Sequence, residues 1–180
     1  MRKLVVTEFL SLDGVMEEPA WTMPYWNDEI AQFKYDELFA SDSQLLGRVT
    51  YQGFAEAWPG RTDEQGFSDR MNTMSKYVVS TTLKTAVWNN SSLIKTDIVK
   101  GINQLKHTAG ENILVAGSCT LVQTLIQNNL VDEYHFLVYP VVLGTGKKIF
   151  QDGTTATLKL VEANSFSDVT AFIYQPDNSQ

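Results

Sequence analysis

Between Ile113 and Leu121 the chain reads ILVAGSCTL. Four apolar residues that suit a buried strand run straight into Gly117, Ser118 and Thr120, and then into a helical apolar pattern. A parallel strand that turns into a helix at a glycine leaves backbone N–H groups unpaired beside the positive end of the helix dipole, which suits an anion such as phosphate. The same stretch also fits a tight turn with no ligand, and one glycine is far weaker than a full G-x-G-x-x-G fingerprint. LLGRVTYQ, from Leu45, repeats the arrangement. Gly47 ends a short strand there, and Arg48, Val49 and Thr50 open a helix with a guanidinium shaped to grip phosphate by two prongs. A third strand ends in Ser80, Thr81 and Thr82. Three strand ends carrying glycine, arginine and hydroxyls favour a dinucleotide with an extra ribose phosphate over three unrelated turns.

Other residues with chemical potential are more isolated. Asp13, in SLDG from Ser11 to Gly14, can orient a substrate or relay a proton, although LDG is also an ordinary turn. Trp21, Tyr25 and Trp26 can roof a flat heterocycle or simply pack into the core. His107 and His135 stand apart from other metal-binding side chains, so no metal site is expected. Cys119 is the only cysteine, which excludes an internal disulfide and a thiolate metal cluster. It reads as a small buried residue, and Lys147 and Lys148 read as solvated turn lysines.

Composition narrows the function classes. A chain of 180 residues with 43% hydrophobic and 19% charged residues suits a single domain spanning 1–180. The net charge of -7 argues against following a nucleic-acid backbone. Thr7 and Glu8 interrupt the first apolar run too early for a signal peptide, and later apolar runs are too short for a membrane helix. A soluble protein of a reducing cytoplasm is expected.

These residues need a scaffold that gathers strand ends. Lys3–Leu10 reads as a strand, followed by a long loop over Ser11–Trp26 that is a candidate lid. Asn27 caps a helix reaching Ala40. A further helix or turn follows over Gly66–Ser75, with strands over Lys76–Leu83 and Thr85–Trp88. Thr96 caps a helix closing at Gly110, and the helix after Ser118 ends at Asn128-Asn129. A strand from Tyr134 stops at Pro140, and Leu158–Phe166 with Val169–Tyr174 forms a hairpin. The terminal PDNSQ is expected to fray. Alternating strands and helices imply an α/β fold whose central sheet is mixed but mostly parallel, with helices on both faces and a C-terminal β-hairpin.

SLDG, LLGRVTY, VAGSCTLVQTLIQNNLVDE and YPVVLGTGKKIF together resemble the reductase domain of the riboflavin-biosynthesis deaminase-reductase and, more broadly, the dihydrofolate reductase superfamily. The resemblance runs in order through most of the chain and is closest to small stand-alone members. It implies a three-layer dihydrofolate reductase-like fold and NADPH as cofactor, with FMN as the alternative. Gly47, Arg48, Val49 and Thr50 would hold the 2′-phosphate end, Ser80 and Thr81 the adenosine side, and Ala116, Gly117, Ser118, Cys119, Thr120 and Leu121 the pyrophosphate. Asp13 would be the catalytic residue, and Gly14, Trp21, Tyr25 and Tyr139 would contact a small-molecule substrate. A homodimer is also implied. The resembling riboflavin domains carry an acid and a second glycine where this chain has Ala116 and Ser118, and no fused zinc deaminase signature is present. The implied activity is NADPH-dependent reduction of a small heterocyclic or carbonyl compound, as in 5-amino-6-(5-phosphoribosylamino)uracil reductase. The alternatives are a nucleotide- or flavin-binding protein without turnover, or a dihydrofolate reductase whose first-helix acid is Asp28, Glu29, Asp36 or Glu37.

Overall fold

The computed structural model describes residues 1–177. Eight strands form one sheet in the order β4-β3-β2-β5-β1-β6-β8-β7. The central strands are β1 (Leu4–Leu10), β2 (Ser41–Gly47) and β5 (Asn112–Val115), flanked by β3 (Ser75–Val79), β4 (Ser91–Ile94) and β6 (Glu133–Val138). Pairs among these six are parallel, whereas β7 (Leu158–Phe166) and β8 (Val169–Pro176) add an antiparallel hairpin to β6. The mixed sheet follows from the connections: helices cross over between the parallel strands except from β3 to β4, which an irregular segment joins, and only the last link is a tight turn.

Both faces are covered. Leu4, Val6, Ile113 and Val115 point to one face, where Ile102 of α4 (Ile98–Lys106) and Leu121, Val122 and Leu125 of α5 (Cys119–Gln127) pack. Val5, Leu46 and Leu114 point to the other, against Leu38 of α1 (Asp28–Phe39), Tyr51 of α2 (Arg48–Ala57) and Met71 of α3 (Phe67–Thr73). Burial on both faces is why β5 and the first half of β1 read as near-continuous apolar runs, whereas β2 carries only Leu45 and Leu46.

Several expected bounds move. The strand expected over Lys76–Leu83 ends at Val79, because Ser80 Oγ accepts hydrogen bonds from the backbone N–H groups of Thr82 and Leu83 and turns the chain. Thr85–Trp88 is not a strand; the next strand is β4. Trp88 serves instead as a buried anchor, with its backbone N–H on Tyr51 Oη at 2.9 Å and its indole N–H on Asn72. Asp97, not Thr96, is the N-cap residue of α4. The loop after β1 contains a 3-10 helix over Pro19–Tyr25. Of the terminal PDNSQ, Pro176 belongs to β8 and the Asp177 N–H donates to the Thr157 carbonyl at 2.9 Å; residues 178–180 lie outside the described residues. Among the described residues no helix is long and apolar enough to cross a membrane.

Candidate active-site cleft

The sheet parts at its centre. β1 pairs with β5 only as far as Val6 and Val115, yet it continues beside β6 to Leu10 and Val138. Beyond Val6 the flank of β1 that faced β5 is therefore open, and β5 turns away through Ala116 and Gly117. A cleft of about 880 Å³ occupies the opening, a size suited to a small molecule. Thr7, Glu8 and Phe9 form part of its floor, Ala31, Lys34 and Leu38 of α1 one wall, and Val49, Thr50 and residues 116–120 another. Trp26, Phe54, Trp58 and Phe67 give it aromatic sides.

The two glycine-led turns meet on this wall. The Gly47 N–H donates to the Gly117 carbonyl at 3.1 Å. Gly47 and Ser118 are the N-cap residues of α2 and α5, and neither supplies a side-chain cap among the described residues. Two helix N-termini thus bring uncapped amides and dipole ends together, the arrangement that holds anionic phosphates elsewhere. Arg48, exposed at the first position of α2, donates from Nη1 to Gln52 Oε1 at 2.9 Å. Val49 and Thr120 are exposed beside the turns, while Cys119 and Leu121 are buried, so of these last two only the backbone is available to a ligand. Burial pushes the Cys119 thiol up. Ser80 is buried and its hydroxyl is committed to the turn after β3; Thr81 is exposed next to it.

The expected substrate contacts separate from the cleft. Tyr139 is fully buried and packs edge-on against Trp21 and Tyr25, with ring centroids 5.5 and 5.9 Å away. These three rings, with Ile30 and Leu137, form a core cluster behind β1. Trp26 is the loop aromatic that lines the cleft. Asp13 is bound by Ser11 Oγ at 2.7 Å and by the amides of Leu143 and Gly144 at 3.1 and 2.8 Å. Those donors hold its carboxyl down at about 2, so it staples two loops as a carboxylate at neutral pH. Gly14 occupies the same turn with φ of +81°, and its N–H donates to Ser11.

Two cleft residues, Glu8 and Lys34, and a part-buried imidazole behind them escaped sequence reasoning. Glu8 is buried, and its Oε1 has no hydrogen-bond partner among the described residues. Burial, offset by Lys34 and reinforced by Glu37, raises its carboxyl to about 8. Lys34 enters the cleft from α1 and donates to Thr7 Oγ1 at 2.7 Å and to Glu37 Oε2 at 2.5 Å. His135 is not isolated: Nδ1 faces Glu37 at 2.6 Å and Nε2 faces Glu133 at 2.9 Å. Burial alone would lower the imidazole, but the two carboxylates raise it overall. Asp28, Glu29 and Asp36 are exposed, and Glu37 turns to His135, so the α1 side chains in the cleft are Ala31, Lys34 and Leu38. That arrangement lacks the first-helix acid expected of a folate reductase. The sequence showed only that Thr7 and Glu8 break the apolar run of β1, not that Glu8 is buried in the cleft. No group of His, Cys, Asp or Glu that could hold a metal ion occurs among the described residues.

Comparison with known proteins gives a consistent family. The family described as the RibD C-terminal domain matches residues 2–172. A putative riboflavin biosynthesis protein from Shewanella sp. PV-4 is similar in structure, with a TM-score of 0.79 and 18% identity over 98% of this chain and 99% of that one. The diaminohydroxyphosphoribosylaminopyrimidine deaminase/5-amino-6-(5-phosphoribosylamino)uracil reductase of Thermotoga maritima gives a TM-score of 0.70 at 12% identity, over 98% of this chain and 57% of its own. Dihydrofolate reductase from Enterococcus faecalis, complexed with NADP(H), gives 0.65 at 12% identity over 98% and 97%. The fold is dihydrofolate reductase-like.

Proposed function

The chain belongs to the RibD C-terminal domain family, and from that premise we propose that it is an NADPH-dependent reductase of a small planar heterocyclic or carbonyl compound. The observation that carries this reading is the meeting of two helix N-termini across the Gly47–Gly117 contact, on the wall of a largely apolar cleft. Amides of residues 117–120 would bind the pyrophosphate, and Arg48 with Thr50 would bind the 2′-phosphate. The reduced nicotinamide, when bound, would supply hydride. The protein's task is then alignment and exclusion of water. Trp26, Phe54, Trp58 and Phe67 would enclose a flat ring, with Thr7, Glu8 and Phe9 beneath it. By the resemblance, Ala116 would stand where the riboflavin reductase domains usually carry an acid that helps hold their pyrimidine, which favours a different substrate. A homodimer belongs to the same proposal and is read by light scattering on the eluting protein.

The test is NADPH titration followed by nicotinamide fluorescence and thermal shift. Consumption of NADPH is then followed with aldehydes, quinones, pteridines and 5-amino-6-(5-phosphoribosylamino)uracil. Arg48→Ala should weaken NADPH about tenfold or more, ~1.4 kcal/mol, and NADH far less. Equal weakening of both coenzymes would remove Arg48 from the phosphate site. Failure of the wild-type protein to bind NADPH would remove the whole reading, and binding without consumption would favour a binding protein. FMN is added to the same titrations as the competing ligand.

A further inference from the structure

We propose that Glu8 is the acid of the cleft, delivering a proton to the substrate's oxygen or nitrogen as hydride arrives at the adjoining carbon. This rests on the reductase reading above and assigns the proton half of that reaction. The geometry points to Glu8 because β1 loses its β5 neighbour after Val6, so Glu8 stands on the flank that opens into the cleft. Its side chain is more than nine-tenths buried there. Oε1 lies 3.9 Å from where a Cβ on Gly117 would sit, against the turn assigned to the coenzyme, and has no partner among the described residues.

The surrounding charges fit an acid that stays neutral. Lys34 and Glu37 approach from α1, Cys119 from α5, Glu17 and Glu18 from the loop after β1, Asp63 from the segment before α3, and Lys147 from the loop after β6. Each cation is already engaged: Lys34 by Glu37 at 2.5 Å and Lys147 by Glu17 at 2.7 Å. Without a cation of its own, a buried carboxyl holds its proton into the neutral range, here to about 8. Asp13, at about 2, has no proton to give at that pH. An acid matched to the working pH is the efficient one.

The carbon of a C=O or C=N bond receives hydride from the reduced nicotinamide, and the π pair moves to the heteroatom. That atom bonds the proton leaving the Glu8 carboxyl; Glu8 becomes a carboxylate, and water returns its proton between turnovers.

Glu8→Gln keeps the shape and removes the proton. Infrared titration of the coenzyme-free protein should show a neutral carboxylic-acid carbonyl band persisting to about pH 8 and missing from Glu8→Gln. NADPH affinity should stay within threefold of wild type, while kcat for whichever carbonyl in the panel is reduced should fall at least a hundredfold, an effect typical of a lost general acid. The wild-type decline of kcat above about pH 8 should vanish in the variant. Loss of the acid band by pH 6, or a Glu8→Gln protein that keeps wild-type kcat, overturns the role of Glu8 while leaving NADPH reduction standing. A wild-type protein that binds no NADPH, or binds it and reduces nothing in the panel, overturns both. Should Glu8→Gln not fold, the wild-type infrared titration alone decides.

Discussion

A methyl group added at Gly47 would fall on Ser118, and one at Gly117, where φ is +99°, would come within 2.8 Å of Thr50 Oγ1. Gly47 itself has an ordinary φ of -73°, so it is the neighbouring turn that forbids a side chain there. Gly47→Ala should destabilise the protein by roughly 1–3 kcal/mol through overpacking. A urea titration measures this, and a change under about 0.5 kcal/mol would mean that the two turns do not constrain each other. That these glycines open helices was legible in LLGRVTY and VAGSCTL. That they touch was not, because contact depends on the register of β2 against β5. Glu8 was illegible for a similar reason: a carboxylate in a strand is normally on a solvated face, and only the early end of β5 makes its position a buried floor.

Among the elements, α1 shows how far local signals reach. Asn27 accepts from the Ile30 N–H at 2.9 Å, so the cap was legible, and the helix falls within a residue or so of its expected bounds. Asn27→Ala should cost about 1 kcal/mol, seen as a lowered urea midpoint with unchanged slope. An unchanged midpoint would show that the cap contributes nothing. Which face of α1 meets the cleft was not legible, since its acids and apolar residues are mixed around the helix and the choice is made by β1 and β6. The same tertiary control explains Thr85–Trp88, where Trp88 anchors a loop to Tyr51 and Asn72 instead of extending the sheet, while Val87 is exposed.

Across the whole molecule, a chain of charges runs from the cleft to the surface through Lys34, Glu37, His135, Glu133 and Lys3. Its titration sets the pH of greatest stability. His135 is raised above its usual 6.5, so its contribution is full below that value and is lost as pH rises through the folded one. Glu8, raised from 4.5 to about 8, acts in the same direction: its contribution is complete below 4.5 and drains away up to about pH 8. Glu37 is lowered and Glu133 falls to about 2, so both contribute above 4.5 and lose that contribution as pH falls. Stability should therefore peak at about pH 5. By pH 9 it should fall by several kcal/mol, about 5 of them from Glu8 alone at ~1.4 kcal/mol per pH unit. Denaturant titrations across pH check this, and a curve still rising at pH 8 would contradict the paired imidazolium. The sheet class and the closing hairpin were readable from alternating segments, while this chain of charges was not, since Glu37 and His135 stand 98 residues apart.

The parting of β1 from β5 also divides the labour of the cleft. Its floor is regular strand, held on the far flank by β6 and fixed by the core beneath. Met16, Pro19, Trp26, Asp63 and Gln65 at the border come from connecting segments. Such a plan leaves the outline of the mouth to segments outside the sheet, while the position of the bottom is set by strand pairing.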